Sequence, residues 1–417
     1  MSIGYACLTV GVPNTDMKNC LLKNADEEKL TQLIEHNLSA LQHIINYNVA
    51  NEILLFRISS DIIPFGSSPV NTLPWKNLFQ QELQIIGESV KRAGIRVSMH
   101  PGQYTVLNSP DQGVAKRAVD DLMYHSDFLD SLGVDGTSKI ILHIGGAYGD
   151  KKVAIKRFAQ RYKDLDECIQ RRLVIENDDK TYHIGDVLEL GFSLGVPVVY
   201  DNLHNQINYC DQRKDDFYWI SQCRSSWKPR DGKQKVHYSQ QNPLKSAGSH
   251  SESIAIDEFL DFYLRLGESQ PDIMLEVKDK NLSALKCINC TTQKRNIKVL
   301  ELEWSKYKYA ILEKSPKDYK NIRELLKDKS TYPAVDFYRT IDHAYGQGLF
   351  QGNIVNAALH IWGYFKNLAN NEERKRFFSL LQRYQENDGA IAPVKRFLFR
   401  LAEKYKQEYL LMSYYFL

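Results

Sequence analysis

The segment from residue 172 to residue 204 reads RLVIENDDKTYHIGDVLELGFSLGVPVVYDNLH and contains the pattern that decides the fold. It holds two short apolar runs, Arg172–Glu176 and Pro197–Asp201, and each run ends on a carboxylate. Short runs rich in β-branched residues predict strands. Runs that are apolar almost throughout are typical of strands buried on both faces, as in a parallel sheet.

The same pattern recurs through the first 280 or so residues. Eight runs predict strands: Ile3–Leu8, Ile53–Ile58, Ile95–His100, Ile140–Ile144, Arg172–Glu176, Pro197–Asp201, Val236–Tyr238 and Ile273–Val277. Most of the intervening segments repeat apolar residues at intervals of three and four, which predicts helices. Eight βα units of this total length predict a (β/α)₈ TIM barrel. A doubly wound open sheet is the alternative, but no glycine-rich dinucleotide turn follows the first run.

The last third of the chain differs from the rest in pattern and charge. From about residue 304 the pattern is wholly helical, so we predict a barrel domain over 1–295 and an all-helical domain over 304–417. Residues 304–417 carry 19 Lys and Arg against 12 Asp and Glu, a net charge of +7, whereas the first 303 residues have a net charge of −4. A basic domain is compatible with a nucleic-acid partner or with a solvated helical surface.

Composition excludes several classes of protein. With 43% apolar and 25% charged residues, the 417-residue chain is neither disordered nor fibrous. No apolar run approaches the roughly 18–20 residues of a membrane span, and the N-terminus lacks the pattern of a signal peptide. Seven scattered cysteines predict free thiols in a reducing cytoplasm rather than a disulfide framework.

The ends of six consecutive predicted strands carry imidazoles and carboxylates. In chain order they are His100, His143, Glu176, Asp201 with His204, His237 with His250, and Glu276. The carboxyl ends of barrel strands converge on one face, so these side chains should form one cup. Nitrogen and oxygen ligands together suit Zn²⁺, Mn²⁺ or Fe²⁺. Two or three such ions, spaced about 3.5–4 Å apart, activate water and stabilise the leaving oxygen of a phosphodiester.

Three further residues beside the predicted cup have alternative interpretations. Lys235 is an ordinary strand-end cation, a phosphate contact or, if carbamylated, an anionic metal ligand. Gln103 and Tyr104 follow the third strand. They either pack within their loop or stack on a base and fill the space left by an extruded nucleotide.

Taken together, these motifs resemble the UV damage endonuclease family over about residues 1–285. The matching segments are RISSD at 57–61, SMHPGQY at 98–104, HIGGAYGDK at 143–151, IENDD at 175–179, YDNLH at 200–204 and KVH at 235–237. The resemblance implies a metal-bearing barrel similar to endonuclease IV. One departure from the family pattern is the absence of an expected histidine near Ser67 or Ser68. The C-terminal region resembles a bacterial helical domain of unknown function.

The resemblance also implies a reaction and a set of site residues. The enzyme would nick double-stranded DNA immediately 5′ to pyrimidine dimers and 6-4 photoproducts, and at some abasic sites, leaving a 3′-hydroxyl. It would use two or three ions, with Mn²⁺ expected first and Zn²⁺, Mg²⁺ or Fe²⁺ as alternatives. Glu176, Lys235 and His237 would act in catalysis, with Glu176 bridging the ions and Lys235 open to carboxylation. The implied metal ligands are His100, His143, Glu176, Asp201, His204, His237, His250 and Glu276.

The same resemblance assigns the substrate contacts and the setting. Gln103 and Tyr104 would probe the damaged bases, and Tyr5 would lie near the lesion. We expect a cytoplasmic, nucleoid-associated enzyme with neither a membrane nor an obligate protein partner.

Two other classes of function fit parts of the pattern. A metal-dependent sugar isomerase or epimerase on a xylose-isomerase-like barrel would need a similar cup with fewer ions. The aromatic and basic segment 205–235 favours a polymeric anionic substrate over a sugar. A damage-binding protein without turnover would have no use for a cluster that activates water.

Overall fold

The computed structural model describes residues 1–267, 270–292, 295–386 and 389–417. The chain divides into two compact units. The first comprises Met1–Thr9, Pro13–Ile254 and Asp261–Leu285, and the second comprises Val10–Val12, Ala255–Leu260 and Lys286–Leu417. The domain limits 1–295 and 304–417 stay a prediction from the sequence.

The first unit is a closed barrel of eight parallel strands, which confirms the predicted fold class. Each strand pairs with the next, and β8 pairs with β1. The strands are β1 Ile3–Ala6, β2 Leu55–Ile58, β3 Arg96–Met99, β4 Ile140–His143, β5 Leu173–Glu176, β6 Val198–Asp201, β7 Lys235–Tyr238 and β8 Asp272–Leu275. All eight coincide with the predicted runs to within two residues at each end.

The helices of the described residues lie between the strands and then fill the C-terminal region. They are α1 Glu27–Ala50, α2 Trp75–Leu78, α3 Gln80–Ala93, α4 Gln112–Ser131, α5 Lys151–Lys163, α6 Glu167–Gln170, α7 Ile184–Leu194, α8 Asn202–Ile207, α9 Asp216–Arg224, α10 Ile256–Arg265, α11 Asn281–Thr291, α12 Ile297–Lys314, α13 Pro316–Leu325, α14 Ala334–Tyr345, α15 Gln351–Trp362, α16 Asn371–Gln385, α17 Ala392–Lys404 and α18 Glu408–Leu411. None of them is both long enough and apolar enough to cross a membrane within the described residues.

Short polar signals define the ends of several barrel helices. Asp26 and Asp111 cap α1 and α4, since each carboxylate accepts a hydrogen bond from a backbone N–H of the first turn. Gly94 ends α3 in the left-handed conformation, with φ of 67°, and Gly195 ends α7 in the same way. These boundaries return the chain to the start of the next strand.

Paired charges close the end of the barrel at which the strands begin. Lys139, just before β4, donates from Nζ to Asp231 Oδ1 at 2.7 Å, and the side chains are 1% and 7% exposed. Arg96, the first residue of β3, pairs with Asp272, the first residue of β8, at 3.1 Å. Charge pairing at this end serves stability, because active sites of such barrels lie at the other end.

The second unit is helical, as predicted. Its core contains aromatic residues from several helices, such as Trp362 of α15 and Phe377 of α16, whose rings stack at 4.5 Å. Leu312 of α12 and Leu398 of α17 join the same cluster. This unit therefore has a hydrophobic core of its own.

Candidate metal centre

The buried carboxylate of Glu176, at the end of β5, lies at the centre of the predicted cup. Its side chain is 1% exposed. Oε1 is 2.7 Å from Nδ1 of His237. Oε2 is 3.2 Å from Nε2 of His100 and 3.7 Å from Nε2 of His143. The two oxygens thus face two different sets of side chains.

The barrel register brings these side chains together. Parallel pairing sets His143 of β4 beside Glu176 of β5, and Asp201 of β6 beside His237 of β7. Within the described residues there are two groups of side chains, and in each group the possible ligand atoms lie within 4.8 Å of one another. One group is His100, His143 and Glu176, and the other is Glu176, Asp201, His237 and Glu276. Glu176 belongs to both groups, which is the arrangement that a bridging carboxylate requires.

Orphaned polar atoms show that the cup suits a cation. Oδ2 of Asp201, Nε2 of His237 and Nδ1 of His143 are buried and have no hydrogen-bond partner among the described residues. Buried polar atoms are normally paired, and leaving one unpaired costs about 1–3 kcal/mol. Carboxylate oxygens and imidazole nitrogens are ligands of Mn²⁺, Zn²⁺ and Fe²⁺. The residues present therefore fit a metal site.

Backbone carbonyls orient two of the histidines. Nδ1 of His100 donates to the carbonyl of Pro101 at 2.9 Å, and Nδ1 of His204 donates to the carbonyl of Asn177 at 2.9 Å. Because a carbonyl oxygen only accepts, Nδ1 of each ring is a donor, and Nε2 is the nitrogen that a cation would bind after displacing any proton there. The carbonyls thus set the orientation of both rings.

His204 and His250 are the two predicted ligands that belong to neither group. Nδ1 of His204 is 3.9 Å from Oε1 of Glu176 and 3.8 Å from Oδ1 of Asp201. Nε2 of His250, on the loop after β7, is 3.8 Å from Oε2 of Glu276. Both histidines therefore border the cup formed by the other six predicted ligands.

Burial and neighbouring charges shift the pKa values in opposite directions. Burial alone would raise the pKa of Glu176, but His237 and His143 outweigh it and hold that pKa well below its usual range. Burial raises the pKa of Asp201 to about 6. For His204 burial lowers the pKa, but Asp201 and Glu176 outweigh it and raise the value to about 9. Negative charge therefore dominates the cup and attracts cations.

Arg57 is a member of the site whose role the sequence reasoning missed. Its Nη1 lies 2.5 Å from Oε1 of Glu276, and both side chains are 12% exposed. Burial is the largest single influence and lowers the pKa of Arg57, but the charge and hydrogen bond of Glu276, with the charges of Cys7 and Glu176, together outweigh burial and raise that pKa. The available signal was a charged residue inside the apolar run of β2. Oε1 of Glu276 therefore lies between Arg57 and Nδ1 of His237, which is 3.2 Å away, and Oε2 lies 3.8 Å from Nε2 of His250.

Lys235, the first residue of β7, is buried inside the barrel. Its side chain has no exposed surface, and its Nζ has no hydrogen-bond partner within the described part of the chain. Burial, followed by the charge of Arg96, lowers the pKa of Lys235 well below its usual value. Burial of this kind favours the uncharged form of the amine. Along a strand, Lys235 and His237 point to the same face of the sheet.

The residues predicted to contact the lesion occupy two very different environments. Gln103 and Tyr104 lie on the exposed turn after β3, and Tyr104 is 84% exposed. Tyr5 is fully buried in β1, where its hydroxyl donates to Oδ1 of Asn48 at 2.9 Å. The structure therefore does not bring Tyr5 to the surface beside Tyr104, and its role at the lesion stays a prediction.

A cavity of about 610 Å³ opens between the loops that follow β2 and β3. His100 and Tyr104 form part of its wall, together with Arg117 and Asp121. Ser67 and Ser68, where the family pattern suggested a histidine, line it as well. The volume lies in the range of small-ligand sites.

Comparison with known proteins identifies the family of this chain. A family model described as UV-endonuclease UvdE matches residues 1–308, and a model described as a protein of unknown function, DUF1722, matches residues 308–417. A UV DNA damage endonuclease of Clostridium perfringens is 43% identical over 346 residues, covering 82% of this chain and 82% of that protein. One of Bacillus cereus is 33% identical over 290 residues, covering 68% of this chain and 90% of that protein.

A solved structure agrees with the sequence relatives. The crystal structure of SacUVDE matches with a TM-score of 0.66 and 36% identity, covering 72% of this chain and 99% of that one.

Proposed function

The chain belongs to the UV-endonuclease family, and we propose that it nicks double-stranded DNA immediately 5′ to UV photoproducts in a metal-dependent reaction. Pyrimidine dimers and 6-4 photoproducts are the proposed lesions, with abasic sites as further substrates. The observation that carries the proposal is the position of Glu176, shared between two groups of ligand side chains.

We assign the two groups to two cations, with Glu176 as the bridge. His100 and His143 would hold one ion, and Asp201, His237 and Glu276 the other, while His204 and His250 border the cup and support a third ion. Mn²⁺ is the first candidate, and Zn²⁺, Mg²⁺ and Fe²⁺ are alternatives. Bound cations of this type supply an activated water and stabilise the leaving oxygen of a phosphodiester.

The protein's own groups prepare the cup for this chemistry. Glu176 and His237 hold one another at 2.7 Å, so both ring and carboxylate are fixed before substrate arrives. The carbonyls of Pro101 and Asn177 fix the ring orientations of His100 and His204. Two observations on Lys235 support its proposed carboxylation: burial favours its uncharged amine, and Nζ has no hydrogen-bond partner within the described part of the chain. Carbon dioxide adds to a neutral amine, which releases a proton to water and becomes an anionic carbamate.

The loop after β3 supports recognition of a distorted base pair. Tyr104 offers an exposed aromatic ring beside Gln103, and an aromatic ring can stack on a base or fill the space left by an extruded one. The cavity between Tyr104 and His100 would receive the extruded lesion. Extrusion costs less for a base that is already damaged and poorly stacked than for a normal pair.

The basic C-terminal region supports an additional contribution to DNA binding. We propose that its net charge of +7 strengthens binding to duplex and that the enzyme acts in the cytoplasm with the nucleoid, without an obligate protein partner. Replacing Arg374, Lys375 and Arg376 of α16 by glutamine should then weaken binding. The slope of log affinity against log salt should fall by about 0.9 for each phosphate that the variant no longer neutralises.

The matched control for this charge test is the pair Lys91 and Arg92. Both lie at the end of α3, which leads into the start of β3 rather than into the face that carries the cup. Their replacement by glutamine should leave the salt slope unchanged. An unchanged slope for the α16 substitutions as well would overturn the role proposed for this region.

The reaction itself is tested with an end-labelled duplex that carries a single cyclobutane dimer. Mn²⁺-loaded protein should produce one nick directly 5′ of the dimer and none in an undamaged duplex. Glu176→Gln should abolish the nick, whereas Glu189→Gln, at an exposed position of α7, should retain it. Failure of folded, metal-loaded protein to cut would exclude the proposal, and small sugars would become the next substrates to test.

A further inference from the structure

Two exposed apolar side chains stand on loops at opposite sides of the cup. Tyr104, after β3, is 84% exposed, and Leu244, after β7, is 93% exposed. In the closed ring of eight strands, β3 and β7 are four places apart, which is halfway around the barrel. Both loops follow the carboxyl ends of their strands, so both lie on the face that carries the cup.

The loop that carries Leu244 is held in a defined conformation by its own polar groups. Gln241 and His250 form a β-bridge, and the backbone N–H of Asn242 donates to the carbonyl of Ser249 at 2.7 Å. The side chain of Asn242 accepts a hydrogen bond from the N–H of Leu244 at 3.0 Å. These bonds fix the backbone on both sides of the leucine.

Gly248 contributes to the same conformation. Its φ of +85° is one that residues with a side chain rarely adopt. Its N–H donates to Oε1 of Gln241 at 2.8 Å, and Nε2 of Gln241 donates to the carbonyl of Ser246 at 3.0 Å. The loop is therefore a built structure that projects an apolar side chain into solvent.

The base of the loop that carries Leu244 lies beside the cup. His250, at the base of the loop, has its Nε2 3.8 Å from Oε2 of Glu276. A lone exposed leucine is ordinary on a protein surface. Leu244 differs because a braced loop holds it on the face of the barrel that carries the candidate metal centre. The strand before this loop lies halfway around the barrel from the one before Tyr104, the ring that is proposed to probe the lesion.

We propose that Leu244 is a second wedge, which enters the base stack of the DNA from the side opposite Tyr104. Phosphates offer a leucine nothing to bind, and the thymine methyl group is the main apolar contact along the groove edges. Base faces exposed by unstacking are broad apolar surfaces. Leucine is one of the residues that proteins insert between base steps in this way. Leu244 is thus a positioning residue that keeps the lesion out of the stack, and this role rests on the proposed function.

The test compares two substrates that differ only in the cost of unstacking. One is a fully paired duplex with a single dimer, and the other has the same dimer within a short mismatched bubble. Leu244→Ala should lower the single-turnover nicking rate on the paired duplex about tenfold, equivalent to about 1.4 kcal/mol. On the bubble its rate should stay within about twofold of wild type, because the mismatches have already weakened the stack.

Two further variants complete the design. Leu244→Met keeps an apolar side chain of similar size and should nick the paired duplex near the wild-type rate. Leu264→Ala removes a leucine that is 73% exposed on α10 and should change neither rate. The fluorescence of a 2-aminopurine placed beside the dimer should rise on binding of wild type and rise less with Leu244→Ala.

Two results would overturn the inference while leaving the proposed function intact. In the first, Leu244→Ala nicks the paired duplex as fast as wild type. In the second, it is slower by the same factor on both substrates, which would indicate a role unrelated to unstacking. Wild-type protein that cuts neither substrate would instead contradict the proposed function and the wedge together.

Discussion

Replacement of Arg57 by methionine tests the charge balance of the cup. The change removes the cation that holds Oε1 of Glu276 at 2.5 Å and leaves three carboxylates, Glu176, Asp201 and Glu276, in one buried cluster. Breaking a buried ion pair by removing one partner costs about 3–5 kcal/mol. Two charges about 4 Å apart at an effective dielectric constant of about 20 interact by about 4 kcal/mol, which agrees with that range.

The position of His237 sets where in that range the loss of stability should fall. Nδ1 of His237 lies 3.2 Å from Oε1 of Glu276 and compensates part of its charge, so we expect a decrease of about 3 kcal/mol in the free energy of unfolding in excess chelator. Excess Mn²⁺ should restore stability in the variant more than it stabilises wild type, because the cation replaces the missing positive charge. A ligand at about a hundred times its dissociation constant stabilises the folded state by about 2.7 kcal/mol.

The assay is urea denaturation followed by circular dichroism, with and without Mn²⁺. The control is Arg213→Met, which breaks a pair of similar length (2.9 Å) in which the arginine is 88% exposed, and this variant should unfold as wild type does. The reasoning is refuted if Arg57→Met is as stable as wild type in chelator, or if Mn²⁺ stabilises both proteins equally.

Two more substitutions test the other end of the barrel and the loop after β4. Asp231→Asn removes the carboxylate that pairs with buried Lys139, whose Nζ keeps its hydrogen bond to the carbonyl of Arg171 at 2.8 Å. The change should lower the free energy of unfolding in urea by about 3–5 kcal/mol, and the double change Lys139→Met, Asp231→Leu should recover most of the loss. Full stability of the single variant would contradict this. Gly145→Ala should cost about 1–3 kcal/mol and slow nicking, because Gly145 has φ of +108° and a Cβ there would lie 2.4 Å from Oδ1 of Asn108. Gly149→Ala also has a positive φ but open space around the Cβ, so equal effects of the two changes would exclude the clash as the cause.

The fold was predictable because the strands differ so clearly from their surroundings. Each of the eight runs is short, apolar and β-branched, and burial on both faces of a parallel barrel demands that composition. The ends of the strands were predicted less accurately than their existence. The run Ile95–His100, for example, forms a strand only over Arg96–Met99. A strand ends where its ladder of hydrogen bonds ends, which depends on its neighbours more than on its own residues.

The convergence of the cup residues was predictable from the same pattern. Barrel topology alone brings the ends of neighbouring strands together, and the structure sets His143 beside Glu176 as that argument requires. The distances among side chains were not predictable, because they depend on rotamers and on partners elsewhere in the chain. The assignment of Glu176 to two groups of ligands comes from the structure alone.

Arg57 and Tyr5 show what sequence reasoning leaves out. Arg57 was visible as a charge in an apolar strand, but its partner, Glu276, lies 219 residues away. The role of Tyr5 at the lesion stays a prediction from family resemblance, and the sequence did not indicate that its hydroxyl donates to Asn48 on α1. Both interactions depend on long-range packing, which no local pattern encodes.

The most direct test of the central claim measures metal binding and DNA nicking in the same samples. Metal-free protein would be titrated with Mn²⁺, and bound metal and the rate of nicking 5′ of a cyclobutane dimer would be recorded at each step. We predict that nicking rises with occupancy and saturates at two or three ions per chain, and that Glu176→Gln neither fills the cup nor cuts. Nicking that persists in excess chelator, or a fully loaded wild-type protein that leaves the dimer-containing strand intact, would contradict the account.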